Sequence, residues 1–306
     1  MSKLISFFII SIFACNAYAD GFDIAMANVV DNCSNISGDL NDLKKMAGIN
    51  TAITGVGTAT AVGATVVGIV KSSVDEEIEN ILEEALKGKE KPIDELSEND
   101  INSAIDAYFK TSKENTNGTD KPNSKDDFTA MSEESKTLGN WRTGLIGTST
   151  VTNVAGAIIA GNNKSDENLQ TKIDECVKSV ETLKNAIGQA RADGLDVTQA
   201  NQIVTECGEW RNVDLSTIND RAKGAMISSI VGAVTGAAGT VTSAMANSDG
   251  VSNGYSEKEK NLNTAANVLS GGTAVASGVA TVFNATQISA VKKVVAVAEK
   301  CEETLK

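Results

Sequence analysis

The chain has 306 residues, a net charge of −13 and no histidine. This balance disfavours nucleic acid and anionic membrane surfaces as partners, and the missing imidazole removes His-dependent triads, His-ligated zinc and a histidine general base. Two prolines and 4% aromatic residues argue against an immunoglobulin-like sandwich and against an aromatic sugar-binding platform.

The chain opens with Lys3, an apolar run over 4–14 that is too short to span a bilayer, and Ala17-Tyr18-Ala19. Together these read as an export signal over 1–19 with an A-x-A cleavage site. A rival lipoprotein box over 12–15 would lipidate Cys15, but Phe13 is bulky for it. Export implies an oxidising, periplasmic, envelope or secreted location. There the four remaining cysteines, Cys33, Cys176, Cys207 and Cys301, favour disulfides over metal.

Past Cys33 comes the first of four stretches without a charged residue: 46–70, 143–163, 224–248 and 261–291. All are rich in Gly, Ala, Ser, Thr and Val. The linker after the first, 71–131, carries two expected acidic helices. One spans 73–88, with Val74, Ile78, Ile81, Leu82 and Leu86 at helical spacing; the other spans 97–110 and opens on Ser97-x-x-Asp100. A polar low-complexity tract, 111–127, is expected to be disordered. Beyond the second uncharged stretch, Leu169, Ile173, Val177, Val180, Leu183 and Ile187 form the stripe of an amphipathic helix. After the turn at Asp193-Gly194, Val197, Ala200, Ile203, Val204, Cys207 and Trp210 form another. The second linker, 246–255, is a short Gly- and Asn-rich turn followed by Ser256-x-x-Glu259.

The two halves align. Shifting 132–160 onto 256–284 superposes Ser132 on Ser256, Leu138 on Leu262, Gly147 on Gly271 and Val151 on Val275. A second shift puts Gly48 and Gly63 on Gly224 and Gly239, and brings Cys33 near Cys207. An internal duplication of one helical hairpin accounts for this pattern, with halves at 20–190 and 191–306 and the insertion 71–131 in the first. If both arms of each hairpin are continuous helix they match in length, so each second cysteine returns to the level of the first. That favours Cys33–Cys176 and Cys207–Cys301 over Cys176–Cys207.

Three readings compete for the uncharged stretches. They are membrane-span length, and their glycines (Gly48, Gly55, Gly63, Gly147, Gly156, Gly232, Gly236, Gly239, Gly271 and Gly278) suit close helix packing. They also suit a soluble bundle with a small-residue core, since Asn140, Asn153, Asn261, Asn263, Asn267 and Asn284 make poor spans. Strand-favouring runs such as 58–67 keep a β reading open. No Walker, nucleophile-elbow or complete dinucleotide motif is present, and 247–254 fails the EF-hand register. The expected fold is all-α: two long antiparallel helical hairpins in an elongated four-helix arrangement. No catalytic residue, cofactor or metal is expected. The expected role is non-enzymatic, an exported envelope or surface protein associating with a membrane or another copy of itself. The alternative is a soluble secreted binding module that uses the acidic insertion.

Overall fold

A computed structural model describes residues 21–88, 96–112, 124–165, 167–248 and 257–306. The leader with Cys15, most of the polar tract 111–127 and the turn with Ser256 lie outside the described residues. The fold is all-α. Helix α1 covers 21–33. It is followed by α2 (Ile36–Ala85), α3 (Glu98–Ser112), α4 (Lys125–Asn162), α5 (Glu167–Ala192), α6 (Thr198–Cys207), a 3-10 turn (Gly208–Asn212), α7 (Ser216–Ala246) and α8 (Glu257–Thr304). These form two compact units, one of 21–51, 159–225 and 282–306, the other of 52–158 and 226–281. Each unit draws segments from both sequence halves.

The first unit has an ordinary apolar core. Val29, Ile36, Leu40, Leu169, Ile173, Leu183, Ile203, Trp210, Leu215 and Ile218 are buried together around the cysteines. The structure joins Cys33 to Cys176 and Cys207 to Cys301, with Cα–Cα separations of 4.8 and 4.5 Å. The arms that carry these cysteines are not the continuous helices expected. Asn35 takes the left-handed conformation (φ 68°) between α1 and α2, a state that asparagine tolerates through its short polar side chain. α4 stops at Asn162, before the α5 that holds Cys176. A 3-10 turn and an extended Val213 separate Cys207 from α7. α7 then starts on Asp214, which accepts hydrogen bonds from Ser216 Oγ and Ser216 N. Those two bonds hold the Asp214 carboxyl below its ordinary range. Of the four arms, α8 alone joins its uncharged stretch to its cysteine as one unbroken helix. Between α5 and α6, Gly194 (φ 81°) closes a Schellman turn, with Leu195 N donating to Ala190 O and Gly194 N to Arg191 O.

In the second unit α2 does not end at the linker. Residues 73–85 extend the same helix, so the separate helix expected from Ser73 does not exist. Ala64, Gly68 and Lys71 are buried at spacings of three and four, and Ile78 and Leu82 carry that pattern on. α3 starts on a reciprocal cap: Asp100 N donates to Ser97 Oγ, and Ser97 N to Asp100 Oδ2, both at 3.3 Å. Its Ile105 and Phe109 pack with Ile78, Ile81, Leu82 and Phe128 in a small satellite core.

Buried positions repeat between the halves in a fixed register. Those of α4, from Ser135 through Arg142 and Ile146 to Asn153, and Asn163 just beyond it, recur 124 residues later in α8 as Glu259, Ala266, Ser270, Ser277 and Gln287. This is the shift read from sequence. The outgoing arms differ by one residue from the glycine alignment. Thr54, Ala61, Gly68 and Lys71 of α2 match Ser229, Gly236, Ser243 and Ala246 of α7 at a shift of 175. Gly63, which the glycine alignment pairs with Gly239, is only half-buried, whereas Gly239 is buried.

Removing one disulfide should cost much of the stability of the unit that holds it. The double variant Cys33→Ser/Cys176→Ser is expected to lose roughly 2–5 kcal/mol. Thermal unfolding followed by circular dichroism would register this as a lower midpoint, and an unchanged midpoint would contradict it.

Candidate functional site

In the second unit the usual placement of polar and apolar residues is reversed. Along 54–71, 135–156, 229–246 and 259–280 its four long helices bury every third or fourth residue in a heptad alternation, and apart from Ile146 those residues are small or polar. In α7 they are Ser229, Gly232, Gly236, Gly239, Ser243 and Ala246. In α8 they are Glu259, Asn263, Ala266, Ser270, Thr273, Ser277 and Ala280. α2 supplies Thr54, Gly57, Ala61, Ala64, Gly68 and Lys71, and α4 supplies Ser135, Gly139, Arg142, Ser149, Asn153 and Gly156 around a single Ile146. A 3.5-residue repeat of this kind keeps one stripe of each helix against its neighbours.

The outward positions are apolar. Among the described residues, eighteen of the twenty-four exposed large hydrophobic side chains fall in this unit. Val151, Val234, Val268 and Val275 are each 65–70% exposed. All four helices are long and apolar enough to cross a membrane, and 28% of the apolar window of each is buried. A soluble monomer rarely exposes a contiguous apolar patch of more than a few hundred Å².

The polar interior is hydrogen-bonded along the helices. Ser149 Oγ donates to Gly57 O at 2.7 Å. Asn153 Nδ2 donates to Ser149 O and to Ser277 Oγ, and Ser277 Oγ donates back to Asn153 Oδ1. Thr235 bonds Thr273 at 3.0 Å and Thr65 bonds Ser270 at 3.2 Å. Of the asparagines counted against a membrane span, Asn153, Asn263 and Asn284 are buried and Asn267 is half-buried, whereas Asn140 and Asn261 are exposed. Asn153 and Ser277, equated by the 124-residue shift, touch each other. In the first unit Asn163 and Gln287, which have the same separation, also touch: Gln287 Nε2 donates to Asn163 O at 2.8 Å.

Two buried cations close the polar stripe of the second unit. Lys71, 1% exposed, donates to Asp75 at 2.7 Å and to Ser135 at 3.0 Å, and pairs with Glu259 at 3.4 Å. Arg142, fully buried, donates to Ser243 Oγ, Asn263 Oδ1 and Asn267 Oδ1. Asn263 Nδ2 in turn donates to Asp75. The cluster holds two positive and two negative side chains, so it is neutral overall and links α2, α4, α7 and α8. Sequence reading missed it. Its signal was there in Lys71 and Arg142, each falling on the same three-four spacing as the buried glycines.

The glycines singled out from sequence divide into groups. Gly232, Gly236 and Gly239 lie against Asn153, Thr150 and Leu269, too close for a methyl group to enter without displacement. Gly63, Gly147 and Gly278 have ordinary van der Waals space, near Leu145, Thr240 and Thr58. Gly156 is buried. Gly48, Gly55 and Gly271 face open space. Of the tryptophans, Trp210 is 1% exposed in the disulfide-bearing core and Trp141 is 65% exposed on α4.

Comparison with protein-family models, curated proteins and solved structures finds no match. The two cysteine pairs point to an oxidising extracellular or periplasmic setting.

Two glycines of α2 give opposite expectations. A Cβ at Gly68 would run into the Asn267 side chain, which is fixed by Arg142, Ser72 and Gly68 O. Gly68→Ala should therefore cost about 1–3 kcal/mol. Gly55→Ala meets no neighbour and should be neutral or stabilise by up to about 1 kcal/mol through helix propensity. Thermal midpoints of the two variants in one buffer check this; equal midpoints would contradict the packing described.

Proposed function

We propose that this chain is a non-enzymatic, exported envelope protein whose uncharged helices insert into a lipid bilayer as a polar-cored bundle. The observation that carries the reading is the outward placement of Val and Ile on helical turns whose inward positions are Asn, Ser, Thr and Gly. Such a surface is poorly suited to water but is solvated by acyl chains. In hydrocarbon, apolar burial provides little drive for helices to associate, and small-residue packing with interhelical hydrogen bonds takes its place. Asn153 with Ser277, Arg142 with Asn263 and Thr235 with Thr273 are bonds of that kind.

Length supports the reading. The uncharged stretches run for 21 to 31 residues, and about 20 helical residues cross a hydrocarbon core of about 30 Å. Lys71 and Arg142 stand directly at the ends of two of these stretches, and their charges are paired or hydrogen-bonded, as ionised groups near hydrocarbon need to be. The leader over 1–19 and the disulfides agree with export. With a net charge of −13, attraction to anionic headgroups is not what drives binding. The bilayer interior itself is the partner.

Carbonate washing of envelopes from expressing cells tests this, together with flotation of the purified protein with phosphatidylcholine vesicles. The protein should resist the wash and float with lipid. Lysine costs about 2.5–3.5 kcal/mol at the centre of a span, so Val234→Lys/Val275→Lys should cut the floated fraction at least roughly tenfold with helical circular dichroism retained. Recovery of the unaltered chain as a lipid-indifferent soluble monomer would overturn insertion. A soluble homo-oligomer without lipid affinity would overturn it too, in favour of self-assembly through the same faces.

A further inference from the structure

Three sulfur atoms from two different disulfides meet in the first unit. Sγ of Cys33, Cys176 and Cys301 all lie within 4.8 Å of one another, although Cys33 is bonded to Cys176 and Cys301 to Cys207. All four cysteines are 0–1% exposed and belong to one apolar core. Thiol–disulfide exchange requires a thiolate beside the bond it attacks, and its rate depends on access. Cys301 has that access to the Cys33–Cys176 bond from within the fold, without any reagent entering the core.

We infer that the two disulfides are an exchange-coupled pair, so that freeing Cys301 rewires the cross-links of this unit. A dithiol reductant starts the sequence. It reduces the Cys207–Cys301 bond, delivers two electrons and two protons to the two cysteine sulfurs, and leaves as its own disulfide. Cys301 then loses its proton and attacks Sγ of Cys176 or of Cys33. A new bond to Cys301 forms, the Cys33–Cys176 bond breaks, and the displaced sulfur leaves as a thiolate that takes up the proton. No further electrons are needed. Attack at Cys176 moves the cross-link of α5 from α1 to α8, leaving α1 without its staple. Attack at Cys33 ties α1 to α8 and leaves α5 without its own.

Burial keeps the oxidised pair silent. Cys207 is the last residue of the ten-residue α6 and is followed directly by a 3-10 turn. Local opening of this segment is the step that exposes the Cys207–Cys301 bond to a reductant. The device therefore answers to a dithiol that catches α6 open, and α8 carries the response.

The test uses the full chain as Cys207→Ser, which leaves Cys301 without its partner. The folded variant is quenched in acid, alkylated with N-ethylmaleimide and mapped by non-reducing peptide mass spectrometry. Roughly a tenth or more of Cys301 should be found linked to Cys176 or Cys33, with the alkyl label on the displaced cysteine. Alkylated Cys301 beside an intact Cys33–Cys176 link in every molecule would overturn the inference. If the variant fails to reach the helical circular dichroism of the parent, the native chain is treated instead with less than one equivalent of dithiothreitol. Cys301 linked to Cys176 or Cys33 should then appear ahead of the fully reduced chain, and one-disulfide species with native pairs only would overturn the proposal.

Discussion

Close approach of helices through a hydrogen-bonded core of small residues is the constraint on which the second unit depends. Every buried position of α7 in this unit is Ser, Gly or Ala, so apolar side-chain burial contributes little there. The hydroxyls and amides that replace it must be paired, because an unsatisfied buried polar group costs about 1–3 kcal/mol. Ser149 with Gly57, Asn153 with Ser277 and Arg142 with Asn263 meet that requirement, while Ser229 Oγ is buried without a partner. The glycines make it geometrically attainable. Gly68 and Gly232 leave the space into which Asn267 and Asn153 reach.

α8 shows that one helix serves both units in a single register. Its buried positions step by three and four from Glu259 to Cys301 without a break. Up to Gln287 they are polar or small; from Val291 onward they are Val291, Val294, Ala298 and Cys301. The outward side changes in the opposite sense, from Val268, Val275 and Val279 to Lys292, Lys293, Glu299 and Lys300. A helix that keeps its phase while reversing its polarity is what the proposed insertion requires, with hydrocarbon along one stretch and water along the other.

The parts of the fold that obey water-soluble rules were legible in the sequence. The stripe Leu169, Ile173, Val180, Leu183 and Ile187 is buried as its spacing requires, and Ser97-x-x-Asp100 is a cap. The helix breaks before Cys176 and around Cys207 were not legible, since no proline marks them and Asn35 signals its left-handed turn only weakly. The polar core was missed for a physical reason. Asn153, Asn267 and Asn284 were weighed by composition, which counts an asparagine against hydrocarbon wherever it points. Their three-four spacing, shared with Ser270, Thr273 and Ser277, carries the direction. In sequences of this kind the period of the polar residues tells more than the period of the apolar ones.

The central claim, a bundle with lipid outside and hydrogen bonds inside, is tested most directly by site-directed spin labels placed one at a time along α8 in vesicle-bound protein. Collision with oxygen reports hydrocarbon and collision with a water-soluble nickel chelate reports water. The account predicts high oxygen and low nickel accessibility at Val268, Val275, Val279 and Val282, and low accessibility to both at Ser270, Thr273 and Ser277. Nickel accessibility at the valines as high as at the charged Glu299, or high oxygen accessibility at the serines instead, would contradict it.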